Sequence, residues 1–266
     1  MASIIEVHGL TKKFGDLTAV DGISFSVPRG GIFAFLGPNG AGKTTTIKML
    51  TTLLHPTAGS VVLDGVDQMH DQDAARRAFG IVFQDPSLDD ELTAYENMEL
   101  HGVLYAVPTK LRHERTEQLL TFVELWDRKD DFVKNFSGGM KRRLEIARGL
   151  LHHPKILFMD EPTLGLDPQT RNHIWSYIQN MTKEEGITVF FTTHYMEEAD
   201  RMSTKVVVID HGKIVAEGTA AELKARTGSA TLEEAFISLT GRDIRKDEAS
   251  GADAMRNHRR MWTGRK

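Results

Sequence analysis

The sequence predicts an α/β fold: a wound, largely parallel core sheet, an antiparallel β side sheet and a helical insert. Three observations carry this. Short apolar runs at Ile32, Ile81, Ile156, Thr188 and Val206 alternate with helical or inserted segments, the pattern of parallel strands joined by crossovers. Runs such as Ile23-Ser24-Phe25-Ser26-Val27 and Ser60-Val61-Val62-Leu63-Asp64 alternate residue by residue, as half-buried antiparallel strands do. Between Gln84 and Ser137 the strand signal is replaced by helical spacing. With 266 residues and 40% hydrophobic content, the chain can bury a sizeable core, in one large domain or two small lobes.

The elements follow in chain order. Ile4 to Val27 supplies the first alternating strands, and Gly31 to Leu36 reads as a short buried strand. Directly after it, Gly37-Pro38-Asn39-Gly40-Ala41-Gly42-Lys43-Thr44 matches the pattern G-x-x-x-x-G-K-[ST], and Thr45 to Thr52 reads as the following helix. Glycines let the backbone curl so that several N–H groups face one anion, and the helix N-terminus adds its positive end. Lys43 is expected to reach the β- and γ-phosphates of a nucleotide, and Thr44 to offer its hydroxyl to Mg²⁺, with Thr45 completing the phosphate site. Asp64-Gly65 reads as a turn. Thr93 to Leu104 and Lys110 to Leu125 read as the helices of the insert, with Pro108 between them.

Ser137-Gly138-Gly139-Met140-Lys141 opens a long helical pattern whose apolar face holds Leu144, Ile146, Ala147, Leu150 and Leu151. Ser137 suits an N-cap, and the two glycines leave bare amides facing outward, an anion site. A chain that already owns a phosphate loop has little use for a second, so this one is expected to serve a nucleotide held by another copy. Ile156-Leu157-Phe158-Met159 then ends in Asp160-Glu161. An apolar run ending in carboxylates suits a central parallel strand whose C-terminal end faces a ligand, and it is expected to lie beside the strand of the phosphate loop. Asp160 there would hold Mg²⁺, and Glu161 would orient a water for attack on the γ-phosphate. Glu222 to Arg226 and Leu232 to Leu239 read as closing helices.

Phe136-Ser137-Gly138-Gly139-Met140 resembles the signature L-S-G-G-Q of ATP-binding cassette (ABC) ATPases, with Phe136 for the common Leu and Met140 for the common Gln. The resemblance runs from about Ile4 to Leu239. It implies a P-loop NTPase core with a mixed, largely parallel sheet over residues 1–240, a helical subdomain inserted at about 85–136, and a polar basic tail over 241–266 ending in Arg256, Arg259, Arg260, Arg265 and Lys266. It further implies ATP hydrolysis with Mg²⁺. Gln84, at the end of the strand Ile81-Val82-Phe83, would link Mg²⁺ and the attacking water to the helical subdomain. His194 would contact the γ-phosphate, Phe14 would stack on adenine, and Asp167 of Leu164-Gly165-Leu166-Asp167 would reach across a dimer interface. The implied partners are a second ATP-binding subunit, as a homodimer, and an integral-membrane permease that places the chain at the cytoplasmic face of the membrane. Phe136 to Leu150 with its Lys141-Arg142-Arg143, Thr193 to Ala199 and Thr231 to Phe236 most resemble daunorubicin-type drug exporter ATPases. The alternative within the family is a soluble ABC ATPase without a membrane partner.

Composition sets bounds on partners. A net charge of −4 supplies no field for nucleic acid, which is not expected as a partner. The absence of cysteine removes disulfide and thiolate chemistry. The N-terminus lacks the basic and apolar regions of a secretory signal, and no run approaches the roughly 20 apolar residues of a spanning helix.

Overall fold

The computed structural model describes residues 3–241; the basic tail beyond Gly241 lies outside the described residues. Two long strands, β1 (Ser3–Phe14) and β2 (Leu17–Pro28), pair as an antiparallel hairpin. They are joined by β4 (Ala58–Leu63) and the two-residue β5 (Val66–Asp67) into a four-stranded sheet of order β2-β1-β4-β5. Asp64 and Gly65 both have positive φ, +51° and +82°, so the β4–β5 turn has the backbone twist that two-residue hairpins favour.

The core sheet has six strands: β3 (Gly31–Leu36), β6 (Phe79–Val82), β7 (Ile156–Asp160), β8 (Thr188–Thr193), β9 (Lys205–Asp210) and β10 (Lys213–Gly218), in the order β10-β9-β3-β8-β7-β6. Every pairing is parallel except β9 with the edge strand β10. One expectation fails here. The strand ending in Asp160-Glu161 does not lie beside the phosphate-loop strand; β8 separates them. All six residues of β8 are buried, so it suits the centre as well as β7 does, and apolar composition cannot rank two such strands.

Strand alternation divides the interior. Phe33, Phe35 and Phe190 point toward the antiparallel sheet and meet Phe25, with ring centroids 5.3–6.0 Å apart. Ile32, Ala34, Leu36, Val189 and Phe191 point the other way. They pack under α6 (Pro168–Glu185), where Trp175 meets Phe191 edge to face at 4.7 Å. Each fully buried large apolar side chain contributes about 1.5–3 kcal/mol, so both faces of the sheet are anchored. The helices α8 (Ala220–Thr227) and α9 (Leu232–Thr240) close this second face through Leu223, Ala235 and Phe236.

The insert contains α3 (Ala94–Leu104) and α4 (Thr109–Phe122). Thr93 caps α3 with a capping box to Glu96 rather than forming its first turn. A third core joins Met98, Leu120, Val133 and Phe136 to Leu144, Ala147 and Leu151, so α5 (Gly138–Leu150) belongs to the insert's packing as well as to the sheet's. Where α5 crosses β6, a Cβ on Gly80 would lie 2.0 Å from the Gly149 carbonyl oxygen, so the two backbones touch without side chains between them.

His101, Tyr105 and His152 stack between α3 and β6, with Tyr105 and His152 ring centroids 3.9 Å apart. The His152 Nε2 lies 2.9 Å from the Phe79 carbonyl oxygen. Burial drives His101 down to about 3 and His152 to about 4. Both stay neutral in the fold while the unfolded chain protonates near 6.5, so their contribution is complete above that pH and lost on acidification. Urea titration at pH 7 and pH 5 is expected to show a loss of up to about 2 kcal/mol per histidine, and His101→Phe should flatten that dependence.

Candidate functional site

The helix after the phosphate loop, α1 (Lys43–Leu50), begins at Lys43, two residues earlier than its apolar pattern suggests, and ends at Leu50. Gly42 caps it at φ +104°, and a Cβ there would meet the Ala19 carbonyl oxygen at 2.6 Å, so only glycine fits. Lys43 is buried; its Nζ donates to the carbonyls of Gly37 at 2.8 Å and Pro38 at 3.1 Å, and it pairs with Glu161 Oε1 at 3.2 Å. The ammonium therefore stands inside the loop's own concavity.

The strand order makes Thr192 of β8 the bridge between loop and carboxylates. It lies level with Phe35 on one side and Asp160 on the other. Its hydroxyl donates to Asp160 Oδ1 and accepts the Glu161 backbone N–H at 3.0 Å. Asp160 also takes a hydrogen bond from the Thr44 hydroxyl. Burial pushes the Asp160 carboxyl up, against the lowering pull of Thr192, Thr44 and Lys43. Glu161 has φ +47°, in the left-handed region, and is 8% exposed. That backbone turn aims its carboxylate back between the Lys43 ammonium, on Oε1, and the His194 ring, whose Nδ1 lies 3.1 Å from Oε2. Lys43, Thr44, Asp160, Glu161 and His194 are thus brought to one sheet end.

Gln84 is not the end of its strand. β6 stops at Val82, and Gln84 is exposed two residues beyond. What fixes this segment is a group that sequence reading used only for resemblance. Arg142 of α5 donates to the Phe83 carbonyl, to the Gln84 carbonyl at 2.8 Å and to Glu145 Oε2 at 3.1 Å. Glu145 accepts the Ser87 N–H at 2.7 Å, and Arg148 donates to the Ser87 carbonyl at 2.8 Å. Burial raises the Glu145 carboxyl and lowers the Arg142 guanidinium. The i, i+3 spacing of Arg142 and Glu145 was the one available signal, since both project from α5 on the same side.

Ser137 caps α5, its hydroxyl accepting the Met140 N–H at 3.2 Å. Ser137 and Gly139 line a cleft of about 210 Å³ with Glu124, Arg143, Gln169, Thr170 and His173, and no phosphate-loop residue contributes to it. Gly138 has open space where a side chain would stand. Asp167 caps α6 beside this cleft, accepting both the N–H and the hydroxyl of Thr170. Those two bonds hold the exposed Asp167 carboxyl below its usual range. Phe14 stands 49% exposed at the β1–β2 turn, with Lys12 Nζ 5.2 Å from its ring centroid.

A phosphate loop between β3 and α1, with carboxylates at the end of a nearby parallel strand, defines a P-loop ATPase core. The ABC transporter family profile matches residues 20–164. The chain is 43% identical over 228 residues to the daunorubicin/doxorubicin resistance ATP-binding protein DrrA of Streptomyces peucetius, covering 86% of this chain and 69% of that one. It is 44% identical over 220 residues to the Nod factor export ATP-binding protein I of Ralstonia nicotianae, covering 83% and 68% respectively. Its fold matches an ATP-binding cassette solved as a dimer in a post-hydrolysis state with ADP and Pi, at TM-score 0.73 and 29% identity, over 81% of this chain and 98% of that one. The chain belongs to the ABC transporter family and is an ATP-binding, ATP-hydrolysing subunit of it.

Proposed function

We propose that this chain powers a drug-type exporter by closing and opening as a head-to-tail dimer around ATP, with a separate permease carrying the cargo. The observation that carries this reading is the separation of the two anion sites: Lys43, Glu161 and His194 share one sheet end, while the Ser137-Gly139 cleft is lined without any of them. A triphosphate bound at the loop is contacted by Lys43, the loop amides of Asn39, Gly40 and Gly42 to Thr45 and, on the adenine, by Phe14. Ser137, Gly138 and Gly139 of the second copy cover its γ-phosphate, and Asp167 lies at the same interface. Hydrolysis followed by release of phosphate then removes the bridging contacts, and the interface opens.

The residues fit a magnesium ion. Thr44 and Asp160 present two hard oxygen donors side by side, and among the described residues no three acidic or imidazole groups converge to hold a metal on their own. That suits an ion completed by phosphate oxygens and water. When bound, it supplies charge neutralisation on the phosphates; Gln84 and Asp160 would approach it from the protein side. Glu161 orients the attacking water and takes its proton, while Lys43 and His194 hold the γ-phosphoryl oxygens.

Docking to the permease is assigned to the segment from Asp85 to His101. There Arg142, Glu145 and Arg148 hold the backbone at residues 83–87, and Leu100 of α3 stands exposed, with Val103 and Leu104 exposed just beyond the segment. No helix among the described residues is long and apolar enough to cross a membrane. The resistance role of DrrA and the export role of the Nod factor protein support the exporter reading, with the chain peripheral at the cytoplasmic face.

The test is complementation. Lys43→Ala and Gly138→Asp chains should each be inactive alone, the second because a carboxylate would face phosphate in space that is otherwise open. Mixed one to one, they form a heterodimer with one intact composite site, so ATPase activity should return to at most about a quarter of the parent's. A mixture as inactive as its components would overturn the head-to-tail arrangement.

A further inference from the structure

Glu198 lies on α7 (Met196–Met202), beside an acidic neighbour, Glu197, that faces solvent. Glu198 does not: it is 5% exposed. Its Oε1 accepts the Thr163 hydroxyl and lies 3.6 Å from Arg171 Nε, an ion-pair rather than a hydrogen-bond distance. Its Oε2 accepts the Thr193 hydroxyl at 3.2 Å. Thr193 in turn accepts the Tyr195 N–H at 2.9 Å, fixing the turn on which His194 sits. Thr163 is two residues from Glu161, and both threonines are buried. Arg171 of α6 stacks over the Tyr195 ring at 4.6 Å and lies 3.5 Å from the Leu166 carbonyl, in the loop that precedes Asp167.

One carboxylate therefore touches three segments: the loop after Glu161, the end of β8 before His194, and the helix that follows residues 164–167. Burying a carboxylate is costly, and apolar packing would join three elements at least as firmly. What apolar packing does not provide is a fixed direction for each hydroxyl, and so for the backbones that carry Glu161 and His194. We propose that Glu198 is a positioning residue for hydrolysis, holding His194 and Glu161 in register and joining both, through Arg171, to the 164–167 loop. The proposal rests on the reading that Glu161 and His194 act at the γ-phosphate. Motion of the 164–167 loop on dimer closure then reaches the hydrolytic pair by a path of four side chains: Arg171, Glu198, Thr163 and Thr193.

The test uses the full chain carrying Glu198→Ala, Glu198→Gln or Thr163→Val, with Glu161→Gln in parallel. The readouts are kcat, KM for Mg-ATP, affinity for a fluorescent ATP analogue, and melting temperature. Loss of alignment at a reacting centre lowers rate by about 10- to 100-fold, so Glu198→Ala should lose that much kcat while KM and analogue affinity stay within about twofold. Glu198→Gln keeps one accepting oxygen and a similar volume, so it should fall between Ala and the parent. Should Glu198→Ala melt below the assay temperature, Glu198→Gln and Thr163→Val carry the test, each deleting one polar contact. The proposal is overturned if the folded variants turn over within about twofold of the parent, or if kcat, analogue affinity and melting temperature fall together, as a purely structural role requires. Glu161→Gln separates the two claims. If it hydrolyses like the parent, the underlying reading fails; if it is inactive while the Glu198 variants are unaffected, only this inference fails.

Discussion

Replacing Glu161 with Gln should reduce ATP turnover by about 10²- to 10⁴-fold, the range of a lost general base. The substitution keeps shape and one hydrogen-bond acceptor but removes the charge between Lys43 Nζ at 3.2 Å and His194 Nδ1 at 3.1 Å. Binding should survive, because the loop carbonyls of Gly37 and Pro38 still hold Lys43 in place. The expected product is therefore a protein that captures ATP and cannot discharge it. Light scattering with saturating Mg-ATP should report a dimer, and without nucleotide a monomer. A variant that stays monomeric with ATP would remove the basis for reading nucleotide as the joint between copies.

The second large effect is on stability. Arg142→Met should destabilise the chain by about 3–5 kcal/mol, the usual result of leaving one member of a buried ion pair behind. Glu145 has no exposed surface, and Arg142 is its nearest counter-charge. The same substitution releases the carbonyls of Phe83 and Gln84. Urea unfolding measures the loss, and Arg142→Met combined with Glu145→Leu should restore much of it, since two apolar groups need no partner. A single variant as stable as the parent would mean that water already reaches Glu145.

Local chemistry was legible in the sequence. Gly37 to Thr44 reads as an anion site because glycine, lysine and threonine each have a separate task there, and the structure adds why Gly37 and Gly42 cannot change: the Ile209 and Ala19 carbonyls against them. Ser137 reads as a helix cap and is one. Long-range placement was less legible. β7 and β8 are both short and wholly buried, so nothing in either says that β8 takes the place beside β3. Nothing in the sequence therefore marks Thr192 as the bridge between those strands. The polar groups on α5 and α7 were hidden for another reason. Arg142, Glu145 and Glu198 have the composition of a solvated helix face, and only tertiary packing turns them inward.

Glu161 also bends the chain the wrong way for its chirality, at φ +47°. A side chain in that conformation costs about 1–2 kcal/mol, which a glycine would largely avoid. On the proposed role of Glu161, the fold keeps a small permanent discomfort where the attacking water would be held, and a glycine there would gain stability at the expense of the reaction.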